Sequence, residues 1–291
     1  MEHHSNDFKQ WLVGMTDGDG SFSIINQCRT SSKPKFNLVF KISLSTYNLR
    51  ALYFIKKNLG FGSVRIDKKN KMGSFLIRDR KTLKMIFPIF DQYPLLTSKY
   101  FNYFRFKKAY EILTSEIYSK HEKDDLLTKL QADKLCDHYK APSWKNISND
   151  SSVLEIKKIM SKAWVIGFIE AEGSFYITRK DSRRTTNRYV HGFGISQKLD
   201  PIVLESIRRI LHISTKVRYK PKRSYYVLDT TQKRSIDNIC EYCNKNIYGM
   251  KSLEFKIWKR SLKYRDSSEK LIQIQKLLRQ IRQKHQPARS C

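Results

Sequence analysis

One stretch of this chain is written twice. "WLVGMTDGDGSFSI" (Trp11 to Ile24) and "WVIGFIEAEGSFYI" (Trp164 to Ile177) agree in character position by position, at an offset of 164 − 11 = 153. The offset persists beyond the motif: it pairs Phe40 with Phe193, Ile42 with Ile195, and Val64 and Arg65 with Val217 and Arg218. One deletion later, Lys99 and Lys251 pair at 251 − 99 = 152. An offset held over so much chain means duplication, so the fold is built from two copies of one unit.

Alternation and turn residues predict the elements of each copy. In the first, a helix runs into the motif. Strands follow near Ser21 to Gln27 and Asn37 to Ser45, then a helix near Asn48 to Leu59 and hairpin strands near Gly62 to Asp67 and Ser74 to Asp79. In the second, strands fall near Ser174 to Lys180, Arg188 to Gln197, Lys216 to Lys220 and Tyr225 to Thr230. The chain divides into a first repeat (1–118), a polar helical segment and linker (119–160), a second repeat (161–265) and a basic tail helix (266–291).

Within the motif, each helix is expected to end at Gly20 or Gly173 in a left-handed cap. Gly14 and Gly18, and Gly167 and Ala171, are four apart, so each helix carries a stripe without bulk where another backbone can come close. Packed along that stripe, the two helices bring Asp19 and Glu172 together at the negative poles of both dipoles. Such carboxylates share a proton or hold cations, and hard oxygen ligands select magnesium, manganese or calcium over zinc. Asp17 and Glu170 lie two residues earlier, on another face, and have a supporting place.

Charge names the partner. The 57 Lys and Arg against 27 Asp and Glu leave +30, a field that selects polyanions, nucleic acid first. No apolar run is long enough to span a bilayer and no N-terminal signal is visible, so no membrane role is expected. Five cysteines (Cys28, Cys136, Cys240, Cys243, Cys291) are too scattered for a disulfide framework, and Cys240 and Cys243 lack the second pair a zinc site needs. A divalent ion between two halves of a basic protein points to phosphodiester hydrolysis.

"LVGMTDGDG" (Leu12 to Gly20) and "VIGFIEAEG" (Val165 to Gly173) resemble the two motifs of single-chain LAGLIDADG homing endonucleases. The resemblance implies an α+β fold of two pseudo-symmetric αββαββα repeats, with motif helices packed at the centre and antiparallel sheets forming a DNA-binding saddle. It implies metal ligation by Asp19 and Glu172 with the carbonyls of Gly18 and Ala171. By the same likeness Gln197, Lys99 and Lys251 stand near the attacking water. The implied cofactor is magnesium (Mg2+), with manganese able to substitute and calcium supporting binding without cleavage. It further implies a monomer that makes a double-strand break in a long asymmetric target, leaving short 3′ overhangs, and an organellar origin, mitochondrion or chloroplast. Copy one departs from the pattern, since the position matching Gln197 is Leu44 (197 − 153 = 44), which can neither orient water nor accept a proton.

Strand parity assigns the duplex-facing side chains. Phe22, Ile24, Phe175 and Ile177 share the apolar parity. Ser23, Ile25, Gln27, Tyr176, Thr178 and Lys180 then face DNA, together with Lys41, Arg78 and Lys220. The turns add Arg29, Lys33, Lys35, Arg183, Arg184 and Arg188, with Arg65 and Arg218 at matching places in the third strands. Most of these cations hold phosphate and set register, while a few read base edges in the major groove. His191, among strand residues, is expected in packing or on the DNA face. Two other readings share the charge: an intron RNA maturase, and a DNA-binding relative that does not cut.

Overall fold

The computed structural model describes residues 2–27, 35–148, 150–182, 185–244, 246–249 and 251–283. The first repeat runs α1 (Glu2–Asp19), β1 (Gly20–Asn26), β2 (Phe36–Ser45), α2 (Leu49–Leu59), β3 (Ser63–Asp67), β4 (Met72–Ile77), the short helices α3 (Arg80–Lys84) and α4 (Phe87–Gln92), α5 (Lys99–Thr114) and α6 (Lys120–Ala132). After a connector with α7 (Val153–Ile159), the order recurs as α8 (Lys162–Glu172), β5 (Gly173–Ser182), β6 (Thr185–Gln197), α9 (Pro201–Ile210), β7 (Arg218–Lys220), β8 (Tyr225–Thr230), α10 (Lys233–Cys243), α11 (Lys251–Arg260) and α12 (Ser268–Gln283). Each repeat makes one antiparallel four-stranded sheet, ordered β1-β2-β4-β3 and β5-β6-β8-β7.

Period-two alternation gives each sheet one buried and one solvent face. In β2, Phe36, Leu38, Phe40, Ile42 and Leu44 are buried, while Asn37, Lys41 and Ser43 between them are half-exposed. Phe22 lies against Phe90, Tyr103 and Phe106 at 5.2, 5.3 and 5.4 Å between ring centroids. Its counterpart Phe175 lies against Phe255 and Trp258 at 5.0 and 5.1 Å. An aromatic anchor on the first strand thus pins each sheet to its own α5 or α11, a burial that stabilises by about 2 kcal/mol per ring. Helices α6 and α12 complete the likeness: Gln131 donates to the Ile24 carbonyl at 2.9 Å and Gln275 to the Ile177 carbonyl at 2.6 Å.

The two repeats meet along α1 and α8. A Cβ on Gly14 would lie 2.0 Å from the Trp164 carbonyl oxygen, and one on Gly167 would lie 2.1 Å from that of Trp11. The stripe is therefore a reciprocal backbone contact that any larger residue would force apart. The expected left-handed cap is not what ends these helices. Gly173 is extended (φ −71°, ψ 152°), and Gly20 is not among the residues with positive φ. Glycine is needed there because a Cβ would meet the helix's own last turn, 2.7 Å from the Thr16 carbonyl oxygen and 2.6 Å from that of Ile169.

The strands also differ from expectation at one place. Residues 181–182 and 185–187, which the sequence pattern places between the two strands, continue β5 and β6 as strand, beyond the expected pair of Lys180 opposite Arg188. Cross-strand pairing there outweighs the polar composition, which by itself favours a loop. β7 is shorter than expected, starting at Arg218.

Candidate functional site

The helix ends carry the candidate chemistry. A Cβ on Gly18 would stand 2.2 Å from the Ala171 Cβ and 3.3 Å from the Glu172 Cγ, so the last turns of α1 and α8 touch where their acids sit. Asp19 and Glu172 are both half-buried. Desolvation raises both carboxyls, and the nearby Asp19 charge adds to the effect on Glu172, which is pushed up to about 7. Lys251 and Lys99 pull the other way on both.

Those lysines arrive symmetrically. The Lys99 ammonium donates to the Gly18 carbonyl and, at 3.3 Å, to that of Thr16. The Lys251 ammonium donates to the Ala171 carbonyl at 2.7 Å and to that of Ile169 at 3.1 Å. Each therefore sits on the carbonyl of the residue just before the acid. Burial lowers the pKa of both lysines, against the opposing charges of the surrounding carboxylates. Four of the five residues expected at the centre are thus brought together. Gln197 closes β6 opposite Tyr226. Leu44, its counterpart, has the same core-facing parity and is 5% exposed.

What places the lysines is the first acid of each motif, whose supporting role the structure makes specific. Buried Asp17 accepts from the Leu96 and Thr97 amides at 2.8 and 3.0 Å and from the Thr97 hydroxyl at 2.5 Å, holding the loop that launches α5 at Lys99. Buried Glu170 accepts from the Tyr248 amide at 2.9 Å and from the Gly249 amide, just ahead of Lys251. The contacts cross the repeat boundary as well. Trp164 donates its indole N–H to Asp17 at 2.9 Å. Trp11 turns its own toward Glu170, short of full hydrogen-bond geometry. Desolvation raises Asp17 to about 6 despite these donors. A Trp six residues ahead of an acid in both copies was the available sequence signal.

The donor set suits a hard divalent ion: two half-buried carboxylates at touching helix ends, each preceded by a carbonyl that accepts from a lysine ammonium. Among the described residues there is no group of three or more His, Cys, Asp or Glu that could hold a metal, and the candidate donors at the helix ends are the carboxylate pair and the two carbonyls. Cys240 and Cys243 are buried in α10, where desolvation pushes their thiols up, Cys240 to about 12, and they belong to the core. His191 is a packing residue, bonded to the Ser261 hydroxyl at 2.7 Å.

On the solvent face of the first sheet, Lys41, Arg65 and Arg78 line an open groove of about 610 Å³ together with Ser74 and Leu76. Ile25, Gln27 and Lys35 are exposed beside it and Ser23 is half-exposed. Arg29, Lys33, Arg183 and Arg184 lie outside the described residues. On the second sheet, Thr178 is half-exposed, and Lys180 and Lys220 are exposed. Tyr176 does not stand free. Its ring lies across Gly192, where a Cβ would be 2.2 Å away, and burial raises its hydroxyl to about 12. Arg218 is engaged too, pairing with Asp229 at 2.5 Å. Position 76 of the first repeat, which matches Asp229, is Leu76, so Arg65 meets no acid there. Arg188 stands 3.9 Å from Asp266, a long exposed pair worth little.

Comparison with known proteins agrees with this geometry. The LAGLIDADG endonuclease family profile matches residues 12–110 and 165–262. The probable intron-encoded endonuclease Cox1-I1b of Schizosaccharomyces pombe is 40% identical over 283 residues, covering 96% of this chain and 70% of its own length. The chain spans only 36% of the uncharacterized mitochondrial protein RF1 of Saccharomyces cerevisiae (30% identical, 66% of this chain). It spans 35% of the probable intron-encoded endonuclease aI3 of Debaryomyces hansenii (27% identical, 81% of this chain). In structure, the meganuclease I-SmaMI bound to uncleavable DNA superposes with a TM-score of 0.75 at 21% identity, covering 95% of this chain and 98% of that one. I-CpaMI bound to uncleaved DNA gives 0.72 at 21%, with 95% and 98% covered. With two motif helices back to back, two four-stranded sheets and a profile match over both repeats, this chain is a member of the LAGLIDADG endonuclease family.

Proposed function

We propose that the protein is a site-specific homing endonuclease that hydrolyses one phosphodiester on each strand of a long, asymmetric duplex. The observation that carries this reading is the symmetric centre: two half-buried carboxylates at touching helix ends, each preceded by a carbonyl on which a half-buried lysine rests. Asp19 and Glu172, with the carbonyls of Gly18 and Ala171, would hold the divalent cation. When bound, magnesium or manganese supplies polarisation of the phosphate and a lower pKa for water. I-SmaMI has been solved with its uncleaved DNA target in the presence of calcium ions, which supports the same expectation here, binding without cutting.

The chain's own residues do the rest. Ionised Asp19 and Glu172 repel each other, so ion binding requires both protons to leave and should weaken as pH falls below about 7. Lys99 and Lys251, one on each side, place positive charge where the attacked phosphate gathers negative charge. Gln197 orients the water on its side, and Leu44 leaves the other side without that help. Lys41, Arg65, Arg78, Lys180 and Lys220 hold phosphate, while Ser23, Ile25, Gln27 and Thr178 meet base edges. Because the two solvent faces differ in sequence, the target is asymmetric. Both carboxylates belong to one chain, so a monomer suffices. The mitochondrial protein among its relatives supports an organellar setting.

The test is a selection from a randomised duplex library in magnesium, in calcium and in chelator, with product ends sequenced. The expected result is one long site cut on both strands with short 3′ overhangs, in magnesium alone. Binding without cutting in every metal would overturn the nuclease reading. Affinity should also fall steeply with salt, by counterion release from phosphate.

A further inference from the structure

The loop before Lys99 is held from both repeats. From its own repeat, Asp17 accepts from Leu96 and Thr97. From the other, the Asp200 carboxylate accepts from the Ser98 amide and the Ser98 hydroxyl, both at 2.9 Å. Ser98 is the residue before α5, and Lys99 is its first residue.

Asp200 is unusual in three ways. It is 8% exposed, it adopts a left-handed backbone (φ 63°, ψ 53°), and although it precedes α9 its side chain makes no cap bond to that helix. An acid placed just before a helix ordinarily caps it. Here the side chain crosses the repeat boundary instead. The left-handed turn that allows this is tolerated by Asp or Asn and penalised for most other residues. Asp200 also follows Gln197 by only three residues, so the end of β6 and the start of α5 are tied together.

The acid that makes this tie has no counterpart in the other repeat. The position matching Asp200 is Tyr47 (200 − 153 = 47), whose hydroxyl sits beside Glu254, three residues past Lys251. A phenol carries no negative charge and a single oxygen, where the Asp200 carboxylate accepts from both an amide and a hydroxyl. Among the described residues, Glu170 holds the loop ahead of Lys251, and two acids, Asp17 and Asp200, hold the loop ahead of Lys99.

We propose that Asp200 is a positioning residue for Lys99, coupling cleavage of one DNA strand to a residue of the opposite repeat that also fixes the end of the strand bearing Gln197. The inference rests on the nuclease reading. Its consequence is strand-selective. Losing Asp200 should slow the strand that depends on Lys99 and leave the other almost untouched, whereas a general loss of structure would slow both.

The experiment uses the full chain and the duplex recovered by the selection above, labelled on either strand. Lys99→Met identifies the strand that depends on Lys99. Asp200→Ala should slow that same strand by about tenfold or more, with the other strand within about twofold and affinity in calcium unchanged, as expected for a displaced catalytic group. Asp200→Asn keeps an oxygen acceptor and tolerates the left-handed turn, so it should restore most of the rate. Equal slowing of both strands, or no slowing, overturns the inference. Amide exchange in DNA-free protein provides a reading independent of cleavage. Exchange at Thr97 and Ser98 should rise in Asp200→Ala and in Ser98→Ala while Tyr248 and Gly249 keep their protection. Unchanged exchange at Ser98 in Asp200→Ala overturns the positioning contact even if wild type cuts as expected. A wild-type chain that cuts neither strand while the exchange pattern holds overturns the nuclease reading alone.

Discussion

The indole N–H of Trp164 donates to the Asp17 carboxylate at 2.9 Å, joining the start of one motif helix to the end of the other. The same carboxylate holds the loop ahead of Lys99, so helix packing and lysine placement share one buried group. Asp17→Asn would leave at least one of these donors facing an amide N–H. We expect a loss of about 3 kcal/mol, the range for breaking a buried charged network. Denaturant unfolding checks this, and a variant as stable as wild type would contradict the assignment.

The interface between α1 and α8 makes a sharper demand. Gly14→Ala or Gly167→Ala would push a methyl into a carbonyl of the facing helix, at 2.0 or 2.1 Å. Gly60 has a positive φ of 77° and open space around it, so Gly60→Ala carries backbone strain alone. Overpacking should cost about 3 kcal/mol at the interface against about 1 kcal/mol at Gly60. Equal melting temperatures for the two classes would mean that the helices part freely.

Gln197 and Leu44 should separate the two strand cuts. Gln197→Leu removes a polar group at a half-buried strand end and should slow one strand with little loss of stability. Leu44→Gln places an amide in a site that is 5% exposed and should lower stability by about 2 kcal/mol. Strand-resolved rates and melting curves test both; a Leu44→Gln protein that melts like wild type would contradict the burial.

Acid should find a weakness at His191. Burial, with Arg265 adding, lowers its pKa from 6.5 to about 4. Between those values the unfolded chain binds a proton that the folded chain refuses, so stability present above pH 6.5 is lost as pH falls toward 4. The loss should be largest near pH 4, where the unfolded histidine is fully protonated and the folded one only begins to be. His191→Gln can still bond Ser261 but does not titrate, so its stability relative to wild type should rise across that window. A difference that stays constant with pH would contradict a buried neutral histidine.

Much of this was written in the sequence, because duplication makes pattern visible. The 153-residue offset located both motif helices and both sheets, the same repeat one deletion later located both lysines, and parity put Phe22 and Phe175 in the core. What escaped depends on contacts between residues far apart in sequence. Nothing local to Asp200 shows that its side chain will leave its own helix for Ser98. Arg218 read as a free cation because Asp229, its partner, lies on a neighbouring strand whose register sets the pair. The glycines closing the motifs pointed to a left-handed turn, whereas crowding by the Thr16 and Ile169 carbonyls is what requires them.

The central claim is that Asp19 and Glu172 together hold the cation that cutting needs. Its most direct test is Glu172→Gln, assayed on the selected duplex for cleavage in magnesium and for binding in calcium. The account predicts that cutting of both strands is lost, by about a thousandfold or more, the scale of removing a main electrostatic contributor, with affinity for DNA nearly unchanged. Cutting at the wild-type rate would contradict it.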